Sequence, residues 1–147
     1  MNINVRGTLD LIRLAIPHMI KNTPFTADGE RGILVLVSSS AAFDGQPGQV
    51  AYAASKGAIA SLTLPLARDL ARYGIRAVTI APALFDSNMT RQLPEKARQS
   101  LERAMEFPLR AGRPEEFSRL VLESISNSML NGTVLRLDGA MRMPSKM

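Results

Sequence analysis

The chain has no cysteine, no tryptophan and a single histidine in 147 residues. Without cysteine there is no disulfide framework, and no thiolate-held zinc or iron–sulfur site. One histidine excludes a His-rich metal site. The lack of thiols fits a reducing, intracellular compartment, mitochondrial or cytoplasmic. Aromatic residues make up only 5% and are not interleaved with basic ones. The net charge of +5 comes from arginines scattered between Arg6 and Arg142. That dispersion argues against a nucleic-acid surface and leaves a basic bias suited to an anionic small molecule. Long apolar runs are also missing. The run from Ile33 to Val37 is far too short to span a bilayer, so no membrane partner is expected. The opening MNINVRGTLD lacks a basic head followed by an apolar block. It reads as the inside of a structural element rather than as a secretory signal.

Apolar residues make up 46% of the chain, and this length suits a single domain with a real core. Leu9, Ile12, Ile16 and Met19 recur at helical spacing within residues 5–21, where Pro17 introduces a kink or a new turn. The run ILVLVSS reads as a strand buried on both faces, hence parallel. Residues 52–72 read as a long helix with Ala54, Ala58, Leu62, Leu66 and Leu70 on one stripe, bent at Pro65. IRAVTIAP is a second buried strand. A long insertion follows, with helical pattern near 94–105. PEEFSRLVLESISNS is a helix opened by proline and acids, and NGTVLRLDG is a third strand entered by an Asn-Gly turn. Alternation of this kind predicts an α/β fold with a parallel three-stranded sheet and flanking helices. Ligands in such sheets sit at the carboxyl ends of the strands, which directs attention to the loops after Val37 and after Ile80.

Two residues in YAASK carry the first chemical signal. On a helix, Tyr52 and Lys56 lie one turn apart on one face. An ammonium near a phenol favours the phenolate. Lowering a phenol pKa from about 10 to about 7 takes roughly 4 kcal/mol, so a second cation and partial burial are needed. A phenol tuned in this way is a general acid–base near neutral pH. Taken alone, the pair also fits a helix start with a surface lysine. Ser39 stands 13 residues earlier, at the end of the first strand and across a Gly-rich loop. Its hydroxyl and the Tyr52 phenol can converge on one substrate oxygen. His18 and the methionines Met129, Met141, Met143 and Met147 read as packing or tail residues.

The succession strand–Ser–loop–YAASK–long helix–strand–AP resembles the short-chain dehydrogenases/reductases. AAFDGQPGQVAYAASKGAIASLTLPLARDLA, GIRAVTIAPALF, LPEK and LNGTVLRLDGAMRM are similar to a branch acting on 3-hydroxyacyl-CoA thioesters and hydroxysteroids. The resemblance implies the C-terminal half of a Rossmann-type, doubly wound parallel sheet, a single partial domain over residues 1–147. It makes Tyr52 the acid–base and Ser39 the hydrogen-bond partner of the substrate oxygen. Lys56 then tunes Tyr52 and holds the cofactor ribose, and Asn4 holds a water in the proton relay. NAD (or NADP) is the implied cofactor, met at its nicotinamide end by Tyr52, Lys56, Pro82, Phe85 and Ser87. The oxidised nicotinamide supplies the second cation.

Two departures stand out. Ala83 follows Pro82 where the family has glycine, and Ser87 replaces a threonine. The family's glycine-rich dinucleotide turn, its acidic ribose-reading residue and its Asn-Asn-Ala-Gly segment have no counterpart in these residues, so hydride transfer by this chain alone is expected to be impaired. The second reading is an inactive fragment that pairs with full-length subunits, since the family uses the helices at 5–21 and 52–73 and the C-terminal segment as subunit interfaces. A homo-oligomer and a small-molecule substrate are implied. Residues 88–113 read as a substrate lid. Its apolar residues Leu93, Leu101, Met105, Phe107 and Leu109 suit an acyl chain or steroid, and Arg91, Lys96 and Arg98 suit a CoA phosphate.

Overall fold

A computed structural model describes residues 1–143, apart from the side chains of Met89, Lys96 and Ala97. Met147 and the side chain of Lys96 therefore lie outside the described residues. The chain opens with a π-helical turn, Asn2–Gly7, that runs into helix α1, Thr8–Met19. Strand β1 (Gly32–Val37) leads through a 3-10 turn (Ser40–Ala42) to helix α2 (Val50–Ala71) and strand β2 (Ile75–Pro82). Helices α3 (Asn88–Arg91) and α4 (Glu95–Arg103) form the insertion. Helix α5 (Pro114–Ser126) and strand β3 (Val134–Leu137) complete the order. The three strands make one parallel sheet in the order β1-β2-β3, with Leu36 opposite Thr79 and Ile80 opposite Leu135.

The central strand is the one the sequence describes best. From Ile75 to Ala81 every residue of β2 is buried, as a strand covered on both faces and both edges requires. The expectation of full burial fails for β1. Only Leu36 is buried, and Val37 is 46% exposed, because β1 has one sheet neighbour among the described residues and its other edge is open. Leu34 and Leu36 face α1 and α2 in a cluster with Ile12, Ile16, Ile59, Leu62 and Leu66. Alternation along a strand turns Arg76 to the opposite face. There its guanidinium donates to the Ser124, Ile125 and Leu130 carbonyls at the end of α5 and to the Glu30 carboxylate at 2.7 Å. This arginine caps α5, supplying donors to carbonyls that have no intrahelical partner.

Of the expected stripe on α2, Leu70 is buried and Leu62 and Leu66 pack partly buried against the core, while the centre of the buried face is shifted. Ser55, Ile59, Thr63, Ala67 and Leu70 are buried, whereas Ala54 is exposed. Ser55 and Thr63 go inward because each hydroxyl donates to its own helix, at Tyr52 O and Ile59 O, and a satisfied hydroxyl no longer resists burial. Thr63 also meets Thr79 across the core at 2.6 Å. Helix α2 runs unbroken across Pro65, and α1 across Pro17; both prolines face solvent. Gly74 permits the tight return into β2. Its φ is +68°, and a Cβ there would stand 2.2 Å from the Gly29 carbonyl oxygen.

Candidate active site

The carboxyl end of β1, the first turns of α2 and the π-helical turn meet at one place. Ser38, just past β1, continues the sheet by donating its N–H to Ile80 O, and its hydroxyl donates to Lys56 O at 2.7 Å. Lys56 answers with a bond from Nζ to Val37 O at 3.1 Å. These reciprocal bonds lock the end of β1 against α2. They also bring Lys56 Nζ to 5.9 Å from the Tyr52 ring centroid, within cation–π range. Burial pushes the Lys56 ammonium below its usual pKa. Tyr52 itself is 44% exposed, open to a ligand from the solvent side.

Ser39 caps the 3-10 turn in extended backbone geometry, and its Oγ accepts the Ala41 N–H at 3.2 Å. With a lone pair so engaged, the hydroxyl proton stays free to donate to an incoming oxygen. Asn4 is brought to the same place by the π-helical turn, where Val5 and Arg6 both bond to Met1 O. Its side-chain amide donates to Ser55 Oγ at 3.1 Å, and Ser55 Oγ donates to Tyr52 O at 2.8 Å. The structure thus gathers Asn4, Tyr52 and Lys56 through direct or relayed contacts and places Ser39 at the adjoining strand end. Ser38 and Ser55 escaped the sequence reading. The signal for Ser55 was its position in YAASK, one residue before the lysine, but a serine there gives no hint that it will be buried.

The residues after β2 form the second wall. Ala83 has no left-handed φ and donates its N–H to Leu137 O at 3.1 Å. Alanine in place of glycine therefore costs no backbone strain here. Pro82 ends β2 half-buried. The Phe85 ring seats over Gly112 and meets Phe117 edge-on at 6.0 Å, while its carbonyl accepts the Thr90 hydroxyl at 2.6 Å. Among the described residues the Phe85 N–H has no acceptor. Ser87 is exposed and pairs its hydroxyl with that of Thr90 at 3.1 Å.

In the insertion the apolar residues divide. Met105 is buried, while Phe107 and Leu109 are exposed. Arg91 is held in a fork by Asp86, and Arg98 by Glu95 and Glu102. These pairs line a cavity of about 570 Å³ with Leu84, Thr90 and Arg110. His18 is exposed and distant in sequence from the site; Met141 is fully buried and Met129 exposed. No group of three or more metal-ligating acids or imidazoles occurs among the described residues, and none of their helices is long and apolar enough to cross a membrane.

The Phe85 N–H and the Lys56 ammonium beside the exposed Tyr52 are donors open to a polar ligand. The 45–48 segment, with Gly45 and Gly48, leads from the 3-10 turn towards α2.

Comparison with known proteins agrees with this geometry. The family model described as short chain dehydrogenase matches residues 1–98. The chain is 51% identical over 143 residues to 3-hydroxyacyl-CoA dehydrogenase type-2 of Drosophila melanogaster, covering 97% of this chain and 56% of the relative. It is 49% identical to the Homo sapiens protein of the same name, over 97% of this chain and 54% of that one. It therefore spans about half the length of these relatives. The crystal structure of 3-hydroxyacyl-CoA dehydrogenase type-2 from Mycobacterium avium superposes with a TM-score of 0.93 at 39% identity, covering 99% of this chain and 56% of that one. A parallel three-stranded sheet with flanking helices and a family match over two thirds of the residues lead to one conclusion: the chain belongs to the short chain dehydrogenase family.

Proposed function

We propose that this chain carries the catalytic and nicotinamide-end portion of an NAD(P)-dependent oxidoreductase that interconverts a secondary alcohol and a ketone. The observation behind this reading is the lock between β1 and α2, which sets Lys56 beside an exposed Tyr52 and holds both against the strand end that Ser38 and Ser39 follow. When bound, the nicotinamide ring gives or takes the hydride. Ser39 donates to the substrate oxygen. Tyr52 passes the proton to or from that oxygen, and Lys56 favours the phenolate and holds a ribose hydroxyl. Asn4 stands behind them and orders the first turn of α2, where a relay water would reach Lys56. Pro82, Phe85 and Ser87 shape the carboxamide pocket. The relatives named for 3-hydroxyacyl-CoA favour a 3-hydroxyacyl thioester over a steroid; the apolar residues of the 88–113 lid suit either, and the family resemblance favours NAD as cofactor. In this role Arg91 and Arg98 must exchange a carboxylate for a phosphate.

The test is oxidation of NADH by the purified chain with acetoacetyl-CoA as probe, against the Tyr52→Phe variant. Turnover that falls roughly 10²–10⁴-fold in the variant, with NADH affinity little changed, supports the assignment. Near-normal turnover in Tyr52→Phe sinks it.

A second reading rests on the open edge of β1 and on the exposed apolar side chains of the first two helices, among them Leu11, Leu14 and Val50. Here the chain is a partner that co-assembles with longer subunits. No turnover by the chain alone, together with co-purification with a full-length relative, favours it.

A further inference from the structure

The loop that follows β1 is fastened at its far side by a residue from the other end of the chain. Arg136 stands on β3, and its guanidinium forks onto the Asp44 carboxylate, with Nη1 3.2 Å from Oδ1 and Nη2 on Oδ2. Nε donates to Asp138 Oδ2 at 2.5 Å, and Nη2 also reaches Met141 O at 3.2 Å. The guanidinium carbon lies 5.2 Å from the Phe43 ring centroid. Both partners are shielded, with side chains 22% and 16% exposed. The other hydrogen bonds of residues 45–49 are local, such as Gln49 N–H to Gln46 O. Local bonds shape a loop but do not aim it at a sheet.

Phe43 and Asp44 belong to the turn that Ser39 caps. Both donate their N–H to Ser40 O at 3.0 Å, and Ala42 donates to Ser39 O at 3.0 Å. Ala41 in this turn is buried. The Arg136 fork holds its last residue, Asp44. A rotation of this turn would swing the Ser39 hydroxyl, since its Oγ is tied to the Ala41 N–H within the same turn.

We propose that Arg136 is a positioning residue: through Asp44 and Phe43 it fixes the Ser39–Asp44 turn and thereby aims the Ser39 hydroxyl. The catalytic consequence rests on the role proposed for Ser39; the fixing of the turn does not.

The test uses the chain as it is, with Arg136→Gln, Arg136→Lys, Asp44→Asn and the double variant Asp44→Asn/Arg136→Gln. Amide hydrogen exchange is followed in peptides covering residues 40–46 and in β2 as an internal control. Loss of a charge-assisted fork should speed exchange of the loop about 10–100-fold. Protection in β2 should be kept. The conservative Arg136→Lys variant should retain part of the loop's protection, and the double variant should be no worse than either single. In the NADH assay, Arg136→Gln should lower kcat with little change in KM for NADH, and should add nothing to Ser39→Ala. Unchanged loop exchange overturns the proposal, as does equal acceleration in the loop and β2, which marks a merely structural role. Fast loop exchange together with parental turnover in Ser39→Ala supports the fixing of the turn and sinks the role of Ser39. Asp44→Asn is nearly isosteric and keeps the test decisive if Arg136→Gln does not fold.

Discussion

Asn4 and Ser55 stand 51 positions apart in sequence and share a 3.1 Å hydrogen bond in which the amide donates to the hydroxyl. The bond carries the π-helical turn onto the first turns of α2, because Ser55 passes its own proton to Tyr52 O. The Asn4 carbonyl accepts the Thr8 hydroxyl at 2.7 Å, which ties the same residue to the start of α1. Insertion of a π-turn re-aims side chains that a regular helix would point elsewhere, and such turns recur at functional sites.

Ser55→Ala is therefore expected to cost more than Asn4→Ala. The alanine leaves the half-buried Asn4 amide without its acceptor, a loss of about 1–3 kcal/mol. Asn4→Ala removes the donor and leaves the serine its bond to Tyr52 O, at about 0.5–1.5 kcal/mol. Thermal unfolding of the two singles and the double should show coupling, with the double well short of the sum. Strict additivity would mean that the two side chains do not meet in solution.

Glu116 supplies a pH signature. The Arg110 fork, then the Arg113 N–H, lower its pKa from 4.5 to about 2. A carboxylate depressed on folding adds stability above its unfolded value. That stability is present above about pH 4.5 and is lost as pH falls towards 2. Arg110→Gln should let the Glu116 pKa rise, so the loss begins at higher pH. Carboxyl NMR of Glu116 in the two proteins reads this directly. An unmoved titration would show that the Arg110 fork is not formed.

The open side of β1 predicts association. A strand paired on one side presents free N–H and C=O groups along its other edge, and Val37 lies there exposed. The purified chain is expected to form dimers, tetramers or larger species, seen by light scattering across a dilution series. A concentration-independent monomer would be the contrary result.

The architecture was legible because its signals are short-range. β1 carries a continuous apolar run, α5 opens on Pro114 and acids, and the strand–helix alternation admits few topologies. YAASK marked Tyr52 and Lys56 for the same reason: one helical turn joins them. The failures share a cause too. The burial of Ser55 and Thr63 was not foreseen because a sequence does not show that a hydroxyl will bond its own helix. The burial of β1 was overstated because periodicity says nothing of how many neighbours a strand has. The fork of Arg136 on Asp44 and the ion pair of Arg76 with Glu30 join residues 92 and 46 positions apart, and nothing local announces them. Arg91 and Arg98, read as free phosphate ligands, are held by acids three to five positions away, a spacing the sequence did show.

Gly112 is the position from which the cofactor wall can be probed without touching a catalytic group. The Phe85 ring lies on it so closely that a Cβ would stand 2.6 Å from Cε1 and 2.7 Å from Cζ. Its backbone meanwhile pairs with the stretch after β2: Gly112 N–H donates to Leu84 O at 2.9 Å, and Asp86 N–H donates to Gly112 O at 2.8 Å. In Gly112→Ala the backbone is pinned on both sides, so the ring must move. Its edge-on contact with Phe117 at 6.0 Å is lost, and overpacking of this kind costs about 1–3 kcal/mol. A displaced Phe85 ring would also reshape the wall proposed to meet the nicotinamide end. Gly112→Ala should then melt several degrees lower, with a 1 kcal/mol loss corresponding to about 2–4 °C at this size. It should also weaken NADH while leaving binding of the acyl thioester nearly unchanged. Calorimetric titration with each ligand separates these effects. A variant that melts lower yet binds NADH like the parent would place the nicotinamide end away from Phe85.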